Sequence, residues 1–340
     1  MRFKLLGHSG LRVSEVALGT MTFGEEWGFG EAADECRKVF DTYSEAGGNF
    51  IDTANKYMEG SSEKMIGEFV GDERDRYVIA TKYTLAMRNG DPNACGNGRK
   101  NLMRAVENSL RRLQTDYIDL LWVHAWDFVT PVEEIMRGLD DLVRSGKVLY
   151  VGVSDAPAWT VSRANTLAEL RGWSRFIGLQ VQYSLVERNI ERELIPMADA
   201  LGLGVLAWAP IAGGVLTGKY TRSKPTDSKR QNFNQSRLSE RNLAIAREVD
   251  AVADELGKTS VQVALNWVRQ RGSQVFPIIG ARTAAQLSDS LGCLGFELEA
   301  KHLARLEQAS AIELGFPHDF LASDMVQNLV FGDTNDRFDR

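Results

Sequence analysis

Eight short runs rich in β-branched and aromatic residues alternate along this chain with longer stretches of helical periodicity. Such alternation builds parallel sheet, because each strand needs a long crossover before the next can lie beside it in the same direction. The runs fall at residues 16–19 (VALG), 49–53 (NFIDT), 77–82 (YVIATK), 117–124 (YIDLLWVH), 148–154, 178–182, 203–207 and 274–279. Several are almost continuously apolar, as strands buried on both faces are. Helical patterns lie between them at residues 31–46, 61–70, 98–113, 131–144, 157–170 and 190–201, with later ones at 241–256, 260–269, 283–291 and 299–309. Pro131 and Pro157 occupy first-turn positions, and Gly47, Gly146 and Gly202 follow helix ends. Eight such units predict an α/β fold: a single (β/α)8 TIM barrel domain over residues 1–340.

Three segments fall outside that rhythm. Residues 2–13 carry Gly7, His8, Ser9 and Gly10 between two short runs, which reads as a β-hairpin closing one end of the barrel. Residues 213–237 are rich in Gly, Ser and Lys with little periodicity, and so long a loop reads as a lid or strap. The tail at 312–340 is mixed; Phe320, Leu321, Val326, Leu329, Val330 and Phe331 make it apolar enough to pack on the barrel or, in a homo-oligomer, on a neighbouring copy.

Charge and cysteine usage narrow the partners. A net charge of -6 with no Lys/Arg-rich tract argues against nucleic-acid binding. The three cysteines, Cys36, Cys95 and Cys293, are odd in number and far apart, offering neither a disulfide framework nor a CxxC site. Only four histidines exist, without metal-ligand spacing, so no metal is expected. The opening MRFKLLGHSGLRV lacks a signal-peptide core, and no run is apolar enough to span a bilayer. The expectation is a cytoplasmic protein acting on a small molecule, without a membrane.

In a parallel barrel the reactive groups sit at the C-terminal strand ends, where the βα loops form the deep concave face. Asp52, Lys82 and His124 fall at such ends, and Tyr57 lies in the loop after the second strand. An ammonium beside a phenol stabilises its anion and lowers its pKa. Asp52 would hold the Lys82 ammonium charged, Tyr57 would protonate an oxygen, and His124 would orient that oxygen. Such a group suits reduction of a carbonyl, with hydride from a cofactor. Singly, each residue has an ordinary structural role open to it, as a helix cap, an ion pair, a packed ring or a hydrogen-bonded neutral imidazole. Together they are far more specific.

These residues sit in segments that resemble the aldo-keto reductases: FIDTANKY, VIATKY, LLWVHAWD, VGVSDAPAW, LQVQYSLVER, LAWAPIAGGVLTGKY and PIIGARTAAQL. The likeness runs to about Leu294 and is strongest toward the aryl-alcohol-dehydrogenase-like branch. It implies NADPH-linked reduction of an aldehyde or ketone, a small-molecule carbonyl substrate, and a catalytic tetrad of Asp52, Tyr57, Lys82 and His124. Carried over by position, Ser154, Asp155 and Gln180 would contact the nicotinamide carboxamide, and Trp208 would stack on its ring where many members have Tyr. Gly19, Thr20 and Met21 would approach the cofactor beside Asp52. Ala209, Pro210, Ile211, Gly213, Gly214, Gly218 and Lys219 would strap the pyrophosphate. Gly280, Arg282, Gln286, Asp289 and Ser290 would hold the adenosine end, with Arg282 on a 2′-phosphate, hence NADPH over NADH. Two positions depart from the family pattern: Asp155 replaces an Asn, and Ser290 follows Asp289 where Asn is common. A substrate pocket of Trp27, Tyr57, Tyr83, His124 and Trp126 would suit an aromatic carbonyl.

Other motifs fit less well. GxGxxA at residues 28–33 lacks an adjoining strand, GxxxxGK at 213–219 ends in Tyr220 rather than a hydroxyl residue that would bind Mg²⁺, and GVSDA at 152–156 lacks the final Gly of a nucleophile elbow. The rival from another class is a non-catalytic, cofactor-sensing regulatory subunit, a role the same barrel serves in potassium channels.

Overall fold

A computed structural model describes residues 1–222 and 237–338. Its first two strands, β1 (Phe3–Leu5) and β2 (Arg12–Ser14), pair antiparallel as the expected hairpin. All eight expected barrel strands follow: β3 (Ala17–Gly19), β4 (Phe50–Asp52), β5 (Val78–Tyr83), β6 (Ile118–Val123), β7 (Val148–Ser154), β8 (Phe176–Gln182), β9 (Gly204–Trp208) and β10 (Val275–Gly280). They lie parallel in chain order, and β10 closes the barrel on β3 through the pairs Ile278–Ala17, Ile279–Leu18 and Gly280–Gly19.

Around them the described helices are α1 (Ala33–Glu45), α2 (Ser61–Val70), α3 (Arg99–Leu113), α4 (Val132–Arg144), α5 (Ala158–Arg171), α6 (Leu194–Leu201), α7 (Glu240–Leu256), α8 (Ser260–Arg269), α9 (Ala284–Leu291) and α10 (Ala300–Ser310). One is shorter than its sequence pattern. A helix over 190–201 would set the Pro196 ring against the carbonyl one turn earlier; instead α6 starts at Leu194, with Pro196 in its first turn and a 3-10 turn at Asn189–Glu191 before it. The tail resolves into α11 (His318–Ala322), α12 (Asp324–Phe331) and a 3-10 turn at Gly332–Arg337. Val326 is buried there, while Phe320, Leu321, Leu329 and Val330 stay exposed. Among the described residues no helix is long and apolar enough to cross a membrane.

Two apolar layers hold the barrel. The larger lies between strands and helices; the smaller fills the interior with Phe50, Val78, Leu120, Trp122, Leu206 and Phe276. Period-2 alternation along each strand sends neighbours to opposite layers. The hairpin joins the interior layer: Leu6 and Val13 are fully buried in it. Burying a leucine contributes about 1.5–3 kcal/mol. Backbone contacts fix the plug, with Gly7 N–H donating to Gln274 Oε1 at 2.9 Å and His8 N–H to the Gly202 carbonyl at 2.8 Å. Gly7 must lack a side chain, since a Cβ there would lie 2.4 Å from the Ile177 carbonyl oxygen.

Candidate active site

Strand register brings the polar strand ends together at the mouth opposite the hairpin. β4 ends at Asp52, and β5 carries Lys82 with its side chain inside the barrel and wholly out of water. The ammonium has three N–H donors, and each meets an acceptor: Asp52 Oδ2 at 2.6 Å, the Thr53 carbonyl at 2.8 Å and Tyr57 Oη at 3.1 Å. Because the Tyr57 oxygen accepts from Lys82, its own O–H is left to donate elsewhere. The second oxygen of Asp52 accepts from Gln180 Nε2 at 2.8 Å. Asp52, Lys82 and Gln180 thus form one buried network with Tyr57 at its outer end.

Burial dominates the electrostatics. It lowers the pKa of the Lys82 ammonium, but the charges of Asp52 and Tyr57 outweigh it, and the net direction is up, so Lys82 stays protonated. Burial raises Asp52, opposed by Lys82 and Gln180. For Tyr57, burial outweighs the ammonium's lowering effect, so the phenol moves above its usual range instead of below it as the sequence suggested. The phenol therefore holds its proton at neutral pH. His124, just beyond β6, is pushed down to about 3 by burial and by Lys82, which makes it a neutral imidazole. Its ring stands edge-on to Tyr57 with centroids 5.9 Å apart, and its buried Nδ1 has no partner among the described residues.

The network rests on Trp122. In the strand register Lys82 pairs with Trp122, Trp122 with Gly152, and Gly152 with Gly178. A Cβ on Gly152 would fall 2.3 Å from the indole and one on Gly178 2.9 Å from it. Two missing side chains therefore make the space the indole fills. Its N–H is buried without a partner at hydrogen-bond distance among the described residues, yet near enough to Asp52 to favour the carboxylate. Neither this packing nor the Thr53 carbonyl is marked by any motif; the signal for Trp122 is its position two residues before His124, on the same strand face as the inward residues.

At the mouth, Trp27 lies edge-on to Tyr57 at 6.3 Å and is held by a 3.0 Å hydrogen bond from its indole to Glu59. Trp126 is half-buried nearby in sequence to His124. Tyr83 is not part of the mouth: next to inward Lys82 on the same strand, it points outward, 1% exposed, into the layer between strands and helices. Alternation along β5 excludes both neighbours from facing the same pocket.

The residues expected to meet a dinucleotide are distributed as follows. Ser154 ends β7 with a buried Oγ that has no partner at hydrogen-bond distance among the described residues, yet lies near enough to Asp155 to favour that carboxylate. Gln180 gives an amide N–H to Asp52, which leaves its carbonyl oxygen as an acceptor. Asp155, at φ 46°, accepts the Trp208 indole N–H at 3.1 Å and so orients that ring. Thr20 is buried, bonded to the Asp52 carbonyl and Ser62, whereas Met21 is exposed. Gly19 packs against Ile278. Ala209 also takes a positive φ, and Pro210 and Ile211 lead into a 3-10 turn at Ala212–Thr217, where Gly213 and Gly214 take φ 65° and 99°, with Gly218 at 81° just after. Lys219 follows; residues 223–236 of the expected strap lie outside the described residues. Arg282 is part-exposed beyond Gly280, its guanidinium 4.0 Å from Glu31, and its backbone N–H donates to Gln286 Oε1. Asp289 accepts from Thr259 and Gln262 at the start of α8, and Ser290 is buried. An orphaned hydroxyl, an amide carbonyl and a glycine turn beside one strand-end cluster fit a carboxamide and a pyrophosphate.

Closed barrel, buried ion pair and the phenol beside it together define a TIM barrel with a polar cluster at its C-terminal mouth. The model of the Aldo/keto reductase family matches residues 15–311, and the chain belongs to that family. Similar proteins include an aryl-alcohol dehydrogenase of Pestalotiopsis microspora, 39% identical over 94% of this chain and 85% of that one. A norsolorinic acid reductase of Aspergillus flavus is 38% identical over 95% and 84%. An aryl-alcohol dehydrogenase [NADP(+)] of Phanerodontia chrysosporium is 35% identical over 96% and 88%. The chain is thus an oxidoreductase of that family.

Proposed function

We propose that this protein reduces aldehydes or ketones to alcohols with NADPH, Tyr57 giving the proton. The observation that carries the reading is the chain of contacts from Asp52 through Lys82 to Tyr57, which leaves the phenol O–H free to donate. When bound, the reduced nicotinamide supplies hydride to the carbonyl carbon. Ser154, Gln180 and Asp155 would hold its carboxamide, Trp208 its ring, the 212–219 turn its pyrophosphate and Arg282 its 2′-phosphate.

As negative charge grows on the substrate oxygen, Tyr57 Oη releases its proton to it, and Lys82 stabilises the phenolate left behind. Asp52 keeps Lys82 charged and in place; Gln180 keeps Asp52 in place. Neutral His124 carries one N–H with which to orient the carbonyl oxygen. Trp27, Trp126 and Trp208 give the mouth flat apolar surface, which favours an aromatic carbonyl, in keeping with the names of the similar proteins. The test is loss of reduced-nicotinamide absorbance when purified protein meets NADPH and an aromatic aldehyde such as benzaldehyde. Turnover is the expected result; cofactor binding without turnover across aromatic and aliphatic aldehydes would favour the regulatory-subunit reading.

A further inference from the structure

Outside the barrel mouth, a cavity of about 470 Å³ lies along α3, roofed by the loop after β5. Its lining includes Arg88, Arg104, Arg111 and Arg112, in a protein whose overall charge is negative. The local carboxylates do not neutralise them. Asp91 is shared at 3.9 Å by Arg88 and at 3.4 Å by Arg104, Glu63 holds Arg112 at 2.6 Å, and Arg111 has no carboxylate partner among the described residues. Four guanidinium groups against two carboxylates leave a surplus of two positive charges around a space of small-molecule size. Guanidinium forks match the oxygens of a phosphate.

Asn55 supplies a second, independent observation. It is 1% exposed, lines this cavity, and its Oδ1 is buried with no partner among the described residues. The other two amides in the lining are engaged, Asn101 donating to the Gly96 carbonyl and Asn108 accepting from Arg111. A buried amide oxygen left unbonded is costly, and a ligand donor would recover that cost. A fully ionised anion such as sulfate offers no donor for that oxygen, whereas a hydroxyl does.

We propose that this cavity binds a small hydroxylated phosphate ester, the arginines taking the phosphate and Asn55 Oδ1 a hydroxyl. The site bears on the barrel mouth, because the Asn55 backbone N–H donates to the Lys82 carbonyl at 3.1 Å, two residues before Tyr57.

Calorimetric titration with glycerol 3-phosphate and with inorganic sulfate, at fixed ionic strength, tests it. Three proteins are compared: wild type, R88Q/R111Q, whose altered side chains are exposed, and R282A, which disables phosphate capture at the proposed cofactor site. Expected is one saturable site for glycerol 3-phosphate, tighter than for inorganic sulfate, at least about tenfold weaker in R88Q/R111Q and unchanged in R282A. Equal affinity for the two ligands would remove the hydroxyl assignment. Unchanged binding in R88Q/R111Q, loss confined to R282A, or no binding at millimolar ligand would each overturn the proposal.

Discussion

Lys82 and Asp52 meet at 2.6 Å with 0% and 3% of their side chains exposed, so each is the main reason the other can carry charge inside the barrel. Breaking one half of a buried pair leaves an uncompensated ion, at a cost of about 3–5 kcal/mol. K82M is expected to lose stability of that order in urea unfolding, whereas D52N/K82M loses clearly less than the two single changes added together. Strict additivity would mean that the two side chains do not sustain each other.

Tyr57 is expected to matter for chemistry and little for binding. Y57F removes the donating O–H while keeping the ring beside Trp27 and His124. Carbonyl reduction with NADPH should fall at least ~100-fold, with quenching of protein fluorescence by NADPH preserved. Wild-type turnover in that variant would assign the proton to another group.

His124 makes stability depend on acid. Its folded-state pKa is pushed down to about 3, against 6.5 for the free side chain. Between those values the unfolded chain binds a proton that the folded one does not, so stability present at pH 7 is lost as pH falls below 6.5. From pH 7 to pH 5 the loss due to this group is up to about 2 kcal/mol. H124N should unfold with a shallower pH dependence across that window, measured by denaturant midpoints; an identical slope would place the titration elsewhere.

Arg282 should separate the two nicotinamide cofactors. If its guanidinium takes a 2′-phosphate, R282A weakens NADPH binding by about tenfold or more and leaves NADH binding nearly unchanged, because only NADPH carries that group. Fluorescence titration with both cofactors checks this, and equal losses would argue against the contact.

The barrel was legible because its strands are short, apolar and bounded by turn signals, and every run expected to be a strand is one. That Asp52, Tyr57, Lys82 and His124 would lie together was legible because polar side chains at strand ends are rare enough to notice. What local pattern could not reveal is which way a residue faces once its neighbour is fixed: Lys82 inward sends Tyr83 outward, so an aromatic residue beside the site turned out to be core. Long-range fits were equally hidden. Gly152 and Gly178 read as ordinary strand glycines until the Trp122 indole is seen against both. The balance at Tyr57 also depends on burial, which sequence does not report, and it reverses the direction that the neighbouring ammonium alone would give.

The hairpin that seats Leu6 in the barrel floor makes the molecule a cul-de-sac. Among the described residues, whatever reaches the ammonium and the phenol comes in, and goes out, at the end away from the hairpin. Traffic there is necessarily sequential for anything lodged deeper, so bulk added at the rim would slow departure as well as arrival.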